Sequence, residues 1–551
     1  MLRRSFGSQV LRLALVAVVV SAVDAQVGES RPHFGVPDDW THHHVLFSLE
    51  QLRNHPEIAA REPRALHEMY RRWGKLLRTR SPFDGNNATT KSSGDWNVNV
   101  GGSISPGTSP AKYQTDPTAP PDCNNDFVVF ALNTAGVTGG QSTIVGFNLL
   151  YAGPFGMGGA CPGGPHYIFA YNTSTQTNGR IRTSPVLSLD GKKIAFVESS
   201  ASGSAVHVLT IGTTGTNGGS GVASVAPGPA GGNNAVLTTT VYTAVNNNHS
   251  SPWVDYASDT LYVAADNGKL SKITGIFKGT PTLVTTGGWP ISFAGNVQVS
   301  SPVFDATTGR LFIGDSHGVL YSVNAITPGP VSSLTVGKLG QLNPAITDGP
   351  IVDGYGSVFA TASNDGTSAV VVQANAANLT QTARVNIGVG STTGTSVTLY
   401  DGSFDNNYFT SQNSGHFLAC GTSPASVGTT APYRYNMAFI GGVLQADAAP
   451  VQISTSTTAR CGPITEYFNP TIGAGGTDYF FWGVTNNCVG ATGCIMSLAN
   501  GTTVSTAAEN GGTSGVTIDN DGDPAQQYSN IYFGNEIGPL RVLKVQQSTL
   551  Q

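Results

Sequence analysis

Short apolar runs alternate with tight-turn sequences along most of the chain. The stretch 300–324 has the plainest pattern, because SPVFD, RLFIGD and VLYSV are separated by the turn sequences ATTG and SHG. Apolar runs bounded by Gly, Asp, Asn and Ser predict the strands of a β-meander. The run RLFIG is apolar at nearly every position, so we expect its strand to be covered on both faces.

The pattern recurs, and its recurrence predicts a ring. It is clear again in TLYVAADNGKLSKI at 260–273. Eight units span 125–172, 184–211, 251–273, 300–324, 348–373, 396–421, 464–499 and 514–545. A repeat near fifty residues with four strands is typical of β-propellers, whose sheets cover one another by stacking in a circle. We therefore predict an all-β, eight-bladed β-propeller with a short N-terminal helical segment. Seven blades are the runner-up, because the first unit is rich in loops.

The last unit lacks a fourth strand. Its third apolar run ends near Val545, and the sequence ends at Gln551. WNVNVGG, at 96–102, is an isolated strand pattern with no partner nearby in sequence. A ring has no open sheet edge when an N-terminal strand completes its final blade. We predict this closure and assign residues 96–551 to the propeller.

The first residues have the pattern of a targeting sequence. Arg3, Arg4 and Arg12 accompany an apolar run at 13–23 that is too short to span a bilayer. We predict a signal peptide over residues 1–25, a mature start at Gln26, and a secreted or periplasmic protein without a later membrane span.

Residues 26–95 predict a helical and extended segment followed by a linker. Pro63 suits a first helical turn, and apolar residues follow it at helical spacing. They are Leu66, Met69, Tyr70, Trp73, Leu76 and Leu77. We expect this helix to dock on the outside or the mouth of the ring. The alternative is a partner-binding helix that exposes Tyr70 and Trp73.

Six cysteines in an exported chain predict disulfides. Cys488 and Cys494 flank a hairpin turn, where the separation of facing strands suits a bridge. We also pair Cys420 with Cys461, and Cys123 with Cys161. The absence of a CxxC pair disfavours a cysteine metal site.

Composition argues against a nucleic-acid partner. Only 11% of residues are charged, the net charge is −5, and the β region has no run of Lys or Arg. A nucleic-acid surface needs a basic stripe to neutralise phosphates.

One face of the ring is the predicted binding surface. The turns between second and third strands share a face with the loops that lead into each blade, and rigid scaffolds carry function on such loops. This face is predicted to gather His249, Asp266, Asn267, Asp315, His317, Asp365, His416 and Glu536. The alternative is turn chemistry alone, because DNG, SHG and NDG are sequences that tight hairpin turns require.

Two segments suggest metal ions. Asp519, Asp521 and Asp523 alternate as calcium-loop ligands do, which predicts a structural calcium ion, but Asn530 stands where such a loop has Glu. An ordinary turn is the alternative.

The other segment is DDWTHHHVLFS, at 38–48. His42 and His44 would share one side if the segment were extended, although a closed site needs further ligands. The alternative is a hydrogen-bonded docking segment. No other cofactor is expected.

LFIGDSHGVLYSV and LYVAADNGKLSKI resemble the repeat of quinoprotein-type (PQQ-like) β-propellers. The resemblance implies the ring. Dehydrogenases of that class are recognised by a tryptophan docking motif and two adjacent cysteines, and this sequence has neither. With DDWTHHHVLFS ahead of the ring, the arrangement is also similar to secreted bacterial propellers without an established activity.

These observations favour a non-catalytic exported propeller that binds a protein or a glycan, or is a structural component, at the cell surface. The alternative is an enzyme with its site on the axial face, either a hydrolase or lyase with acids from several blades or a degenerate quinoprotein. Three or more His, Asp or Glu side chains converging in a deep axial pocket would favour the enzyme. An axis that is plugged or lined by Thr, Ser and Asn would favour binding.

Overall fold

Eight antiparallel sheets follow one another along the chain and form eight blades, which confirms the predicted fold. The computed structural model describes residues 35–78, 95–116, 121–152, 161–246, 250–293, 295, 297–391, 397–470, 472, 473, 475–519 and 530–546. Consecutive strands pair within each blade, so the first strand lies nearest the axis and the last at the rim.

The strands of blades one to four have the following bounds. They are Ala111–Gln114, Phe127–Ala131, Ile144–Asn148 and His166–Tyr171 in blade one; Arg180–Ile181, Val186–Leu187, Lys193–Ser200, Gly203–Thr210 and Val236–Thr243 in blade two; Trp253–Asp255, Thr260–Ala265, Lys269–Thr274, Thr282–Leu283 and Ile291–Ser292 in blade three; and Val303–Asp305, Arg310–Gly314, Val319–Asn324 and Ser332–Thr335 in blade four.

The remaining four blades repeat the arrangement. Their strands are Ile351–Asp353, Ser357–Ala362, Ser368–Asn375 and Gln381–Val389 in blade five; Ser403–Phe404, His416–Thr422, Pro432–Ile440, Val443–Ala446 and Val451–Gln452 in blade six; Thr465–Asn469, Thr477–Val489, Thr492–Ala499 and Thr503–Ala508 in blade seven; and Thr517–Asp519, Asn530–Gly534, Arg541–Gln546 and Trp96–Asn99 in blade eight.

The second strands are buried on both faces, as their apolar runs predict. In blade four, Leu311, Phe312 and Ile313 are all at most 1% exposed although successive side chains point to opposite faces. Complete burial of such a side chain contributes about 1.5–3 kcal/mol. Neighbouring blades supply the cover, because residues of several consecutive blades belong to one apolar cluster.

An N-terminal strand closes the ring. Trp96–Asn99 pairs antiparallel with Arg541–Gln546 and is the outer strand of blade eight. The Trp96 ring packs against Phe147 of blade one and Tyr532 of blade eight, and its indole N–H donates to the Leu150 carbonyl at 3.1 Å. Trp96 therefore joins the first blade to the last.

Residues 36–46 cross the axis of the ring, and we name this segment the axial plug. Its strand Val36–Asp38 pairs with the inner strand of blade one, and its strand Val45–Leu46 pairs in parallel with the inner strand of blade five. In an eight-bladed ring these blades lie opposite each other. Between the two strands, the 3-10 helix Trp40–His43 lies across the channel.

Three helices, Leu49–Asn54, Pro56–Arg61 and Pro63–Arg78, form a cap on the ring. Gln51 donates to Thr307, in a turn between first and second strands, so the cap covers the face that carries those turns. We name this the capped face. The opposite face carries the loops that lead into each blade, and we name these the leading face and the leading loops.

Buried arginines fasten the cap to the ring. Arg72 is 1% exposed and pairs with Glu68 of its own helix and with Glu466 of blade seven, the latter at 2.9 Å. Arg64 donates to the Val254 carbonyl of blade three at 2.9 Å and to the Thr41 hydroxyl of the plug at 2.6 Å. Multiple hydrogen bonds offset the cost of burying each guanidinium. The helix therefore docks on the ring. The side chains of Tyr70 and Trp73 lie outside the described residues.

All six cysteines are paired, in the three bridges that the sequence predicted. These are Cys123–Cys161, Cys420–Cys461 and Cys488–Cys494. None of the helices in the described ranges combines the length and the apolar character that a membrane span requires.

Replacing Trp96 should destabilise the closed ring. We expect Trp96→Ala to lower the free energy of unfolding by about 3–5 kcal/mol, because it empties a buried site between two blades. Asn97→Ala is the control, since Asn97 is an exposed neighbour on the same strand. Urea unfolding measures both variants, and equal midpoints for the two would contradict this role of Trp96.

Candidate functional site

A cavity of about 320 Å³ opens on the axis at the leading face. Its walls come from the leading loops of blades one to seven, and Trp40, His43 and His44 of the plug form its floor. The plug thus turns the central channel into a closed-ended cavity.

Serines that precede the first strands link neighbouring blades around this cavity. The backbone N–H of Ser109 donates to the Ser184 hydroxyl at 2.9 Å, and the N–H of Ser184 donates to the Ser251 hydroxyl at 2.9 Å. The N–H of Ser251 continues the series to the Ser301 hydroxyl at 2.8 Å. These serines stand beside the opening prolines of the repeat, so the repeated Ser-Pro sequence supplies a hydrogen-bonded belt around the axis.

In blades three, four and eight, the residue one position before this serine position links the start of the blade to its second strand. Ser300 accepts the N–H of Gly314 at 2.9 Å, and Ser250 accepts the N–H of Ala264 at 2.9 Å. In blade eight, Ser514 accepts the N–H of Gly534 at 3.1 Å. A hydroxyl at this position therefore joins the start of a blade to its second strand.

Blades five and six have aspartate at this position. Asp348 stands two residues before Pro350, as Ser300 stands before Pro302, and Asp401 occupies the matching Asp-Gly pair of blade six. Both line the axial cavity. Two adjacent blades therefore have a carboxyl group at the position where blades three, four and eight have a hydroxyl group.

Asp401 is buried at 4% exposure. Neither carboxyl oxygen has a hydrogen-bond partner of normal geometry among the described residues, although Thr361 is near them. Burial raises the pKa of Asp401 well above its ordinary value, and repulsion by Asp348 raises it further. The Asp401 N–H donates to the Asp348 carboxylate at 3.3 Å, so the two residues are in direct contact.

His44 approaches Asp348 from the floor. Its Nε2 lies 3.6 Å from the Asp348 carboxylate, and its Nδ1 lies 3.3 Å from the Pro350 carbonyl oxygen. Burial raises the pKa of Asp348, and the attraction to His44 opposes that increase. The two aspartates therefore titrate as a pair that retains a proton more readily than isolated carboxyls do.

Arg460, Tyr400 and Glu536 form a second polar group at the wall. Arg460 and Tyr400 line the cavity, and Arg460 Nη2 lies 2.8 Å from a Glu536 oxygen. Burial raises the pKa of Glu536 to about 7, although Arg460 opposes the increase.

A second cavity of about 330 Å³ adjoins the first. The two share Thr398 and Arg460, and the paired Cys420 and Cys461 are part of the wall of the second. The two cavities together offer room for a ligand longer than the axial cavity alone.

The predicted turn residues have different surroundings. Asp315 is fully buried and accepts the N–H groups of His317 and Val319 at 2.9 Å and the Tyr321 hydroxyl at 3.0 Å. Asp365 accepts the N–H groups of the turn that follows it. These contacts are the turn chemistry that the sequence offered as the alternative.

Two predicted residues lie beside the walls of the cavity. They are Glu536, through Arg460, and Asp266, whose carboxylate attracts the wall residue Arg182. His317 is exposed and is not part of the wall of the cavity, and His249 lies outside the described residues. The sequence predicted His416 at the leading face, but the structure has it at the capped face. It begins the second strand of blade six and pairs with Asp405 at 3.0 Å, at the capped face, because a short helix replaces the expected turn.

Asp519 has protein partners. Its carboxylate pairs with Lys112 at 2.9 Å and accepts the Tyr532 hydroxyl at 3.0 Å. A neighbouring buried lysine, Lys544, adds positive charge, and its pKa is lowered to about 8 by burial. The carboxylate of Asp519 thus has two protein partners, and the calcium site stays a prediction. Asp521 and Asp523 lie outside the described residues.

No protein-family model and no curated protein matches this chain. Among solved structures it is similar to BamB from Moraxella catarrhalis, at 13% identity and a TM-score of 0.44, over 76% of this chain and 98% of that chain. It is also similar to Sqt1 from Saccharomyces cerevisiae, at 9% identity and a TM-score of 0.45, over 83% of this chain and 98% of that one. The WD40 domain of Toxoplasma gondii coronin has 12% identity and a TM-score of 0.35, over 64% and 78% of the two chains. Similarities at these levels carry no argument about function. The resemblance to quinoprotein-type repeats stays a prediction.

Glu536 should make stability depend on pH. Its folded pKa of about 7 exceeds the ordinary 4.5, so the folded protein binds more protons than the unfolded one between these values. Stability therefore falls as pH rises through this window, by about 3 kcal/mol from this group.

We expect the Glu536→Gln variant to lose less stability between pH 5 and pH 8 than the wild type does, by about that amount. Urea unfolding at both pH values measures the difference, with the exposed Glu57→Gln variant as control. The same pH dependence in all three proteins would show that Glu536 is not perturbed.

Proposed function

We propose that the protein is an exported, non-catalytic propeller that binds the end of a glycan chain in its axial cavity. The carrying observation is a pair of aspartates, the buried Asp401 and the partly buried Asp348, in a closed-ended cavity whose wall is rich in hydroxyl and amide side chains. The three bridges are compatible with an oxidising compartment, where glycans are accessible.

The groups that line the cavity match sugar hydroxyls. A hydroxyl of a sugar both donates and accepts; a carboxylate accepts, and a serine hydroxyl can do either. Charge-assisted hydrogen bonds to a carboxylate are the stronger ones. The wall supplies Ser105, Ser300, Ser316, Thr347, Thr398, Asn343 and Gln298 beside the two aspartates.

The charge of the cavity favours a neutral ligand. Arg460 is paired with Glu536, and Arg182 is attracted to Asp266. A phosphate site needs guanidinium or ammonium groups directed at the ligand. The cavity instead combines partnered arginines with two acids, so nucleotides and phosphates fit it poorly.

Two aromatic rings add apolar surface. Trp40 at the floor and Tyr400 at the wall are 5% and 8% exposed. A small ligand site commonly combines such rings with a few polar groups that fix orientation. The C–H face of a sugar suits this combination.

Hydrolysis of the same ligand is the second candidate. Asp348 and Asp401 have raised pKa values in one cavity, and a proton-sharing carboxyl pair can act as acid and base. His44 makes a third converging group, which meets the condition that favours an enzyme. The axis is plugged and its wall is rich in hydroxyl groups, which is the condition that favours binding. The low exposure of Asp401 also favours binding, which is therefore the first proposal.

A glycan array with the mature chain should identify a neutral saccharide, and calorimetry should then compare variants. We expect Asp401→Asn to weaken binding by about tenfold or more, because it removes a carboxyl group from the centre of the site. His317→Ala is the control, since His317 lies on the same face outside the cavity.

Three results would overturn the proposal. They are an array without a bound saccharide, unchanged affinity in Asp401→Asn, and weaker binding in His317→Ala alone. Release of free sugar by the wild type, abolished in Asp401→Asn, would replace the binding proposal with the hydrolase.

A further inference from the structure

Three buried side chains from separate elements meet where the plug contacts the cap. Asp38 ends the first plug strand, His42 lies in the plug's 3-10 helix, and His67 lies in the cap helix. They are 3%, 7% and 8% exposed. Each of the three residues has a side-chain nitrogen or oxygen atom that can bind a metal ion, and these three atoms all lie within 4.8 Å of one another.

The two imidazoles and the carboxylate have a compact arrangement. The rings of His42 and His67 are perpendicular, and their centroids lie 4.6 Å apart. Small movements of side chains would bring such atoms to the separations found around one ion, whose bonds are about 2.0–2.2 Å long.

We propose that Asp38, His42 and His67 bind one divalent transition-metal ion of the zinc type. Two imidazoles and one carboxylate form a ligand set that suits Zn²⁺, with a fourth position left for water. Because the ligands come from the plug and the cap, the ion would cross-link the segment in the channel to the helix that covers it.

The surroundings of His42 support this assignment. Its Nδ1 lies 3.3 Å from the Asp39 carbonyl oxygen and 3.6 Å from the Asp39 carboxylate. The Asp39 N–H is 3.2 Å from the same nitrogen. Nδ1 is therefore engaged by Asp39 of the plug, which leaves Nε2 as the ring nitrogen of His42 for a metal ion.

Asp39 is itself fixed. It is fully buried and accepts the Thr41 N–H at 3.0 Å and the Thr41 hydroxyl at 2.6 Å. Asp38 and Asp39 also place two adjacent buried carboxyl groups beside the histidines. A dication would offset the cost of burying that negative charge.

The three consecutive histidines of the sequence thus divide between two sites. His44 lies on the floor of the axial cavity, and His42 lies toward the cap with His67. The 3-10 helix turns the two side chains away from each other, so the pair that an extended segment would have offered to a metal does not form. The metal proposal does not depend on the glycan proposal.

Metal analysis of the purified mature chain tests this site. After loading with Zn²⁺ and exhaustive dialysis, we expect one zinc ion per wild-type chain by mass spectrometry. We expect His67→Gln and Asp38→Asn to lose that ion, with affinity lowered about tenfold or more. His55→Gln is the matched control, since this cap histidine is exposed. Co²⁺ in place of Zn²⁺ should give the visible absorption of a four-coordinate site in the wild type and the control alone.

A measurement on the wild type makes the test independent of whether the variants fold. A strong chelator should lower its melting temperature, and added Zn²⁺ should restore it, because an ion that binds only the folded state stabilises it. The proposal is overturned if the dialysed wild type holds no zinc or if chelation leaves its melting temperature unchanged. Zinc retained by folded His67→Gln would overturn it equally.

Discussion

Burial of the second strand of each blade on both faces is the constraint on which the molecule depends. A strand such as 310–314 cannot leave either face in water without losing the free energy of burying its apolar side chains. Neighbouring blades provide the cover, so each sheet is stable because its copies stand beside it. The ring then needs a final joint, and Trp96 provides it between blades one and eight.

The symmetric ring is modified at its axis. Serines before the first strands link neighbouring blades by hydrogen bonds, and this belt needs only small residues with a hydroxyl group. One position before the belt serines, where blades three and four have serine, blades five and six have Asp348 and Asp401. Buried carboxyls are costly when they are not compensated, so their presence in a scaffold position indicates a role beyond holding the blades together.

The N-terminal segment decides the shape of the axial site. It adds one strand to blade one and another to the opposite blade five, and the helix between them closes the channel. Buried arginines hold the cap behind it through partners in blades three and seven. A cavity that would otherwise be a through-channel therefore has a floor, and His44 reaches Asp348 from that floor.

Sequence alone predicted the eight blades, the closing strand and the bridge between Cys488 and Cys494. These features follow from local signals: apolar runs, turn residues, a spare strand and cysteines beside hairpins.

The contacts between polar residues could not be predicted from the sequence, because they join distant parts of the chain. His44 contacts Asp348, although some three hundred positions separate them in the chain, and Glu536 contacts Arg460. Asp315, by contrast, accepts hydrogen bonds within its own turn. The tertiary structure also separates His42 from His44, since a single turn of 3-10 helix reverses which side each one faces. Contacts of this kind depend on where the chain crosses the ring, and the pairing of plug strands across the axis has no counterpart in local sequence.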